Sequence, residues 1–316
     1  MSIRVISPGP LTTVQDSGRY GYQSSGIRPC GVMDTDAYEK AVRLAGGGKA
    51  VLEMTLTGAV LEFQSRTIFA VTGADMQLKL DGKPIPRYKR MAAEAGQVLS
   101  MGPAVTGCRG YFAVFGGIRV PEVMGSRSTD LKCRIGGLDG HAVFKDDVLP
   151  IIEPDEETFQ SLMKEQAAEK APEYTSEIEL MVIMGPQDDA FTDKGKADFL
   201  HEVYKVTPES DRMGIRLEGP AIESVKGTDI VSDGIVFGSI QVPPAGKPIV
   251  LMADHQTTGG YAKIATVLSM DLPKLAQARP GDTVRFKAIS VEDAQALYDP
   301  PKSEPGFWER IMNFFK

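Results

Sequence analysis

The sequence predicts a mainly β protein of two related β domains with a few short helices, and three observations carry that reading. Gly occurs 33 times and Pro 21 times in 316 residues, roughly 17% against an average near 12%, which argues against a helical bundle. Hydrophobic residues still make up 42%, enough to build sizeable cores. The apolar runs are short and mostly closed by Gly or Pro, as in barrels and sandwiches. The halves of the chain also echo each other across one stretch that lacks this punctuation, and a chain of this length has room for two domains.

In chain order, ISPGP at 6–10 opens the first half. Residues 34–45 form the clearest helix, because Asp34 can cap free N–H groups and Gly46-Gly47-Gly48 ends the element. Residues 67–72 and 110–115 are strand-length apolar runs. Asp81-Gly82 between LKL and PIP predicts a hairpin, since an Asp-Gly pair tolerates the positive φ angles of a tight turn. Residues 155–177 contain no Gly and only Pro172, yet hold seven acidic residues and two lysines. Phe159, Leu162, Met163 and Gln166 share one face there, predicting a short amphipathic helix inside a solvated, charged connector. Beyond it, IMGPQ at 183–187 answers the opening segment, 179–184 and 248–252 read as strands, and PGDTVRF at 280–286 answers AGQVL at 95–99.

The predicted organisation is a β domain over 1–154, an acidic helical linker over 155–177, a second β domain over 178–290 and a tail over 291–316. Phe307, Trp308, Ile311, Met312 and Phe315 give the tail an apolar helical face that packs on its own chain or meets a partner or membrane.

Several function classes are excluded by composition. With 35 Lys and Arg against 42 Asp and Glu, the net charge of -7 offers no general electrostatic reason to bind nucleic acid. Cys30, Cys108 and Cys133 form neither a close pair nor a metal-spaced cluster, as in a reduced cytosolic chain. His141, His201 and His255 are scattered, so no metal site is expected. The N-terminus reaches polar and turn residues too soon for a signal peptide, and no apolar run approaches the ~20 residues of a membrane span. A soluble, cytoplasmic protein is expected. No G-x-S-x-G, Walker A, dinucleotide or H-E-x-x-H motif occurs.

The densest chemistry lies in ADHQTTGGY at 253–261, followed by Lys263. As catalytic candidates, Asp254 can act as general base or orient a substrate N–H, Gln256 can read an amide, and Lys263 can hold a carboxylate or phosphate. His255, Thr257, Thr258, Gly259, Gly260 and Tyr261 are candidate substrate contacts, the glycines letting backbone N–H groups approach a ligand closely. The competing reading is a polar turn with an Asx hydrogen bond. In ESDRMGIRL at 209–217, Ser210 and Asp211 can accept backbone hydrogen bonds while Arg212 and Arg216 present planar forks to an anion; alternatively one arginine pairs Asp211 internally. TTVQDSGR at 12–19, GVMD at 31–34 and GSRSTD at 125–130 carry similar polar loads and can line a cleft between domains.

The segments TTVQDSGRYGYQSSGI, GVMD, LEMTLTG, FAVTGAD, GSRSTD, GPQDDAFT, SDRMGIRLEG, SDGIVFGSIQVP and DHQTTGGYAKI run in order along nearly the whole chain. Together they resemble the family of the C subunit of bacterial 5-oxoprolinase, also labelled biotin-dependent carboxyltransferase, allophanate hydrolase subunit 2 or antagonist of a sporulation-kinase inhibitor. The resemblance implies two tandem cyclophilin-like β-barrels. It further implies a B-like partner of related fold, an A-like partner, and ATP-dependent opening of a small amide substrate, 5-oxo-L-proline, to L-glutamate. The alternatives it implies are a carboxyltransferase component that acts with a biotin carrier on urea or a related amide, and a non-catalytic protein that binds a kinase inhibitor resembling the B-like partner. His255 and Ala262 stand where the family's pattern has Arg and Pro, which removes a guanidinium fork from that turn. With no biotinylation segment and no ATP-binding loop, any ATP or carboxybiotin is expected to come through the partners.

Overall fold

The strands Thr67–Gly73 and Arg109–Val114 are buried along their whole length, as continuous apolar runs require when both sheet faces are covered. In the computed structural model of the chain, which describes residues 1–298, they pair antiparallel, with Phe112 opposite Val71 and Ala113 opposite Ala70. They lie within a five-stranded sheet ordered Leu11–Gln15, Val51–Thr55, Arg109–Val114, Thr67–Gly73, Met91–Ala93. Because successive side chains point to opposite faces, Phe69 and Phe112 meet Phe63 of a second sheet, with ring centroids 5.2 to 6.2 Å apart. Ala70, Tyr111 and Ala113 face the other way, onto helix α1, Thr35–Leu44. The two alanines leave room for that helix. The second sheet has six strands, ordered Val148–Pro150, Ser2–Ser7, Val60–Phe63, Val98–Ser100, Lys79–Leu80, Lys83–Pro84.

The local signals of this half are realised. Asp34 Oδ1 accepts from Ala37 N at 2.9 Å to cap α1, and Gly46, Gly47 and Gly48 after it all take positive φ. At Gly48 a β-carbon would fall 2.1 Å from Gly117 N, so the chain passes there only with glycine. Asp81 (φ 49°) and Gly82 (φ 77°) form the expected hairpin turn.

Helix α2, Glu156–Lys164, is capped by Asp155, whose Oδ1 accepts from Thr158 N at 2.7 Å. Phe159 is buried beneath the Arg66 guanidinium, 4.3 Å from the ring centroid. The rest of the connector is less detached than its charge predicts. Arg90 N donates to Ala167 O and Glu169 N to Tyr88 O, both at 2.9 Å, so this segment pairs along the N-terminal half, with Glu165 and Glu169 ion-paired to Arg90 and Arg43.

The C-terminal half closes into a seven-stranded barrel, ordered Glu177–Met184, Lys263–Val267, Ser239–Gln241, Ile249–Leu251, Gly214–Glu218, Tyr204–Val206, Thr283–Ala288. The first and last of these pair in parallel from Glu177–Thr283 to Val182–Ala288, which removes both free edges. Phe286 stacks on Phe199 at 4.5 Å, which seals the core beneath α3, Asp193–His201. Short helices α4, Leu272–Ala276, and α5, Val291–Tyr298, follow. A two-stranded arm, Asp229–Gly234 with Thr258–Tyr261, forms a separate sheet. The chain is thus mainly β with five short helices among the described residues. Barrel closure is seen in the C-terminal half, whereas the N-terminal half is a pair of facing sheets. The predicted apolar face at 307–315 lies outside the described residues.

Candidate functional site

The halves meet on a buried polar seam. An Asx turn, in which Asp211 Oδ1 accepts from Met213 N at 2.8 Å and Gly214 N at 3.1 Å, sets the start of the strand Gly214–Glu218. That turn aims Arg212 inward. Its guanidinium grips Asp254 with two bonds, Nε to Oδ2 at 3.0 Å and Nη2 to Oδ1 at 2.8 Å. It also donates to Glu53 Oε1, and to Gly31 O at 2.6 Å, both in the N-terminal half. Burial works against the Arg212 charge, but Asp254 and Glu53 outweigh it and hold its pKa above the ordinary value.

Glu53 projects from Val51–Thr55, where its Oε2 accepts from Met33 N at 2.8 Å and Tyr111 Oη at 2.9 Å. The Tyr111 oxygen in turn accepts from Asp34 N at 2.9 Å. Arg28 grips Asp130 through Nε at 3.1 Å and through Nη2, and donates from Nη1 to Asp254 O at 3.1 Å. Asp130 is fixed by Lys132 N and Cys133 N, each at 3.0 Å. Two guanidinium groups therefore bind three carboxylates at the seam, and the Arg212–Glu53 pair crosses it. Met33 adds an apolar peg, since it sits in the barrel's core cluster.

The polar loops of the first half hold one another. Asp16 accepts from Ser126 Oγ and Ser128 Oγ at 2.6 Å, from Gly18 N at 2.9 Å and from Arg127 N at 2.6 Å. Ordered this way, they present Cys30 and Pro29 to a small pocket of about 120 Å³ shared with Ala253, His255 and Phe237 of the barrel half. His255 is 3% exposed, and its Nδ1 lies 2.7 Å from Gln256 O. That distance assigns the proton to Nδ1 and leaves Nε2 as an acceptor. Burial lowers the imidazole's pKa, so the ring is neutral near pH 7. Burial also pushes the Cys30 thiol well up, with Asp254 and Asp130 adding to the effect.

The structure brings Arg212, Asp254 and His255 together, with Gln256 and Thr257 half-buried beside them. The Gln256 carboxamide takes no side-chain hydrogen bond from the described residues. Thr258, Gly259, Gly260 and Tyr261 lie in the arm, where Thr258 is paired with Gly234, Gly259 with Asp233 and Tyr261 with Asp229. Lys263 is buried, with Nζ 2.7 Å from Asp233 Oδ2, an ion pair apart from the Arg212 grip. Asp233, hydrogen-bonded by that ammonium, is held below the usual carboxylate range. Ser210 and Arg216 stay outside the seam; Arg216 is exposed and its N donates to Ser210 Oγ at 3.0 Å. Asp130 lies in the polar segment 125–130 expected to line a cleft between domains, whereas Glu53 and Arg28 are not among the candidates. The one available signal for Glu53 is its lone charge inside the apolar run VLEMT, and Arg28 carries none.

The chain belongs to the family described as carboxyltransferase domain, subdomain A and B, which it matches over residues 25–288. Its relatives are more particular. It is 38% identical over 297 residues to the 5-oxoprolinase C subunit of Haemophilus influenzae, covering 93% of this chain and 94% of that one. The Escherichia coli protein of the same name is 37% identical over 294 residues, covering 92% and 93%. Urea amidolyase of Saccharomyces cerevisiae is 31% identical over 316 residues, 94% of this chain but 17% of that protein. The crystal structure of Kluyveromyces lactis urea carboxylase superposes with a TM-score of 0.84 at 30% identity, over 94% of this chain and 28% of that one. Among the described residues no helix is long and apolar enough to cross a membrane.

Proposed function

We propose that the chain is the C subunit of an ATP-dependent 5-oxoprolinase, which opens the lactam of 5-oxo-L-proline to L-glutamate together with A-like and B-like partners. The observation that carries this reading is the 37–38% identity to proteins of that name over more than nine-tenths of the chain. A lactam is inert until its oxygen is stabilised or its nitrogen loses a proton. The turn at 254–257 suits that task. Both Asp254 oxygens are occupied by Arg212, so Asp254 acts as a positioning residue that fixes the turn. Gln256 offers a carboxamide to pair with the lactam, and neutral His255 offers Nε2 as proton acceptor. Lys263, paired with Asp233, anchors the arm that flanks the turn.

Two cavities among the described residues are unsuited to ATP. The seam pocket of about 120 Å³ is too small for a nucleotide, and a larger cavity beside α1 is lined by carboxylates that repel a triphosphate. The reading assigns nucleotide chemistry to a partner. To test the reading, the chain is co-expressed with its A-like and B-like partners and ATP-dependent glutamate release from 5-oxoproline is measured. Release that requires all three chains supports it; a well-folded complex with no release sinks it.

The second reading, a carboxyltransferase component acting with a biotin carrier on urea, is favoured by the likeness to urea amidolyase and urea carboxylase. Carboxylation of urea by the complex plus a carboxylated carrier would select it. We also read the facing sheets of the N-terminal half as an opened cyclophilin-like counterpart of the barrel, with 155–177 as the divide. Each half begins with a strand, Ser2–Ser7 or Glu177–Met184, that runs into a Gly/Pro turn.

A further inference from the structure

We propose that the cavity enclosed by α1, the connector and α4 binds a small organic ammonium ion, diamines in preference to monoamines, and so clamps the two halves together. The cavity measures about 450 Å³ and draws its lining from every part of the chain that meets there. Asp34, Ala37 and Lys40 come from α1 and its cap, Tyr174 from the connector, Glu179 from the first barrel strand, and Gln277 from the end of α4.

Its innermost charged group is the Asp34 carboxylate, on a residue 2% exposed. Oδ1 accepts from Ala37 N at 2.9 Å and Oδ2 from Gln277 Nε2 at 2.7 Å. An ionised carboxylate offers about four acceptor sites, so two remain for a ligand's N–H groups. Asp34 and Asp36 already offset the positive end of the α1 dipole. The Tyr88 and Tyr174 hydroxyls lie 3.2 Å apart, and both rings line the cavity with Met270 and Pro273. A buried carboxylate within aromatic and apolar walls is the combination that recognises an alkylammonium ion.

Charge at the wall selects further. The two lining lysines are already engaged, Lys40 with Asp36 at 3.9 Å and Lys274 with Asp271 at 2.6 Å. Glu173, Glu177 and Glu179 also line the cavity and have no Lys or Arg ion-pair partner among the described residues. The excess is negative, which disfavours carboxylates and phosphates. It also gives a second ammonium group a place to bind, while the first rests on Asp34. The seam turn at 254–257 contributes nothing to this lining, so the site stands or falls independently of the proposed activity.

Isothermal titration calorimetry of the full chain with diaminobutane, butylamine and succinate tests the proposal. Saturable binding of diaminobutane is expected, with butylamine weaker by at least about tenfold and succinate inert. Asp34→Asn, which keeps a good helix cap, should weaken both amines at least about tenfold. Glu177→Gln with Glu179→Gln, at exposed positions where folding is not at stake, should weaken diaminobutane and leave butylamine unchanged. Absence of saturable binding up to ~10 mM, a millimolar ceiling that corresponds to a few kcal/mol, would overturn the proposal. So would succinate binding as well as the amines, or diaminobutane binding equally to all variants.

Discussion

In the C-terminal half, Glu177–Met184 and Thr283–Ala288 pair in parallel and leave the barrel without an edge. In the N-terminal half, two sheets face each other and end on Met91–Ala93 and on the short hairpin strand Lys83–Pro84. The backbones differ in the same sense. Every non-glycine residue with positive φ among the described residues, from Cys30 to Gln166, lies in the N-terminal half or the connector. Such conformations cost of order 1–3 kcal/mol each and persist only where the surroundings over-determine them. Around one of them, Met124, the loop is held by buried polar groups, Asp16 accepting from Ser126 and Ser128 and Arg19 donating to Val123 O and Ser128 O. Both halves have an apolar core, and the N-terminal half adds loops pinned through charge. Where they meet, each supplies what the other lacks: Glu53, Arg28 and Asp130 from one side, Arg212 and Asp254 from the other.

The largest effect is expected at that junction. Arg212→Met leaves Glu53 and Asp254 buried with their shared cation removed, and unpaired buried charge costs about 3–5 kcal/mol. Urea denaturation should show the loss; a change near zero would mean that the halves do not depend on the seam.

A pH experiment sharpens the contrast next. Burial raises Asp34 to about 6, so the folded chain keeps this proton at pH values where the unfolded chain, near 3.8, has released it. The stability tied to that proton is present below about pH 4 and is lost as pH rises through 6, about 3 kcal/mol in all. Asp34→Asn retains the α1 cap and should remove this slope from urea midpoints measured across the window. An unchanged slope would place the titration elsewhere.

The smallest effect is local. Gly82→Ala meets no neighbouring atom, but its φ is 77°, so a loss of about 1 kcal/mol is expected from backbone strain alone. Thermal unfolding checks it.

Which parts of this molecule can be read from its residues follows the same division. Helix α1 is legible because Asp34 and Gly46-Gly47-Gly48 mark its ends locally, and the hairpin because Asp81-Gly82 marks its turn. Barrel closure is not, since Glu177–Val182 and Thr283–Ala288 carry no local sign that they pair across a hundred residues. The turn at 254–257 stands out by its polar density. The partner of Arg212 does not: Asp211 is its neighbour in sequence, yet it spends its carboxylate on an Asx turn while Glu53, 159 residues away, takes the guanidinium. Arg28 and Asp130, 102 residues apart, are hidden for the same reason. Long-range ion pairs are fixed by topology, which residue spacing leaves open.

On the proposed function, the turn at 254–257 must fail when its positioning residue fails. The most direct measurement is ATP-dependent glutamate formation by the reconstituted complex of all three chains, comparing the native chain with Asp254→Asn. A loss of at least about a hundredfold in kcat/KM, of the size produced when positioning fails, is predicted, with the variant still assembling with its partners. Full activity with Asp254→Asn, or with this chain left out, would contradict it.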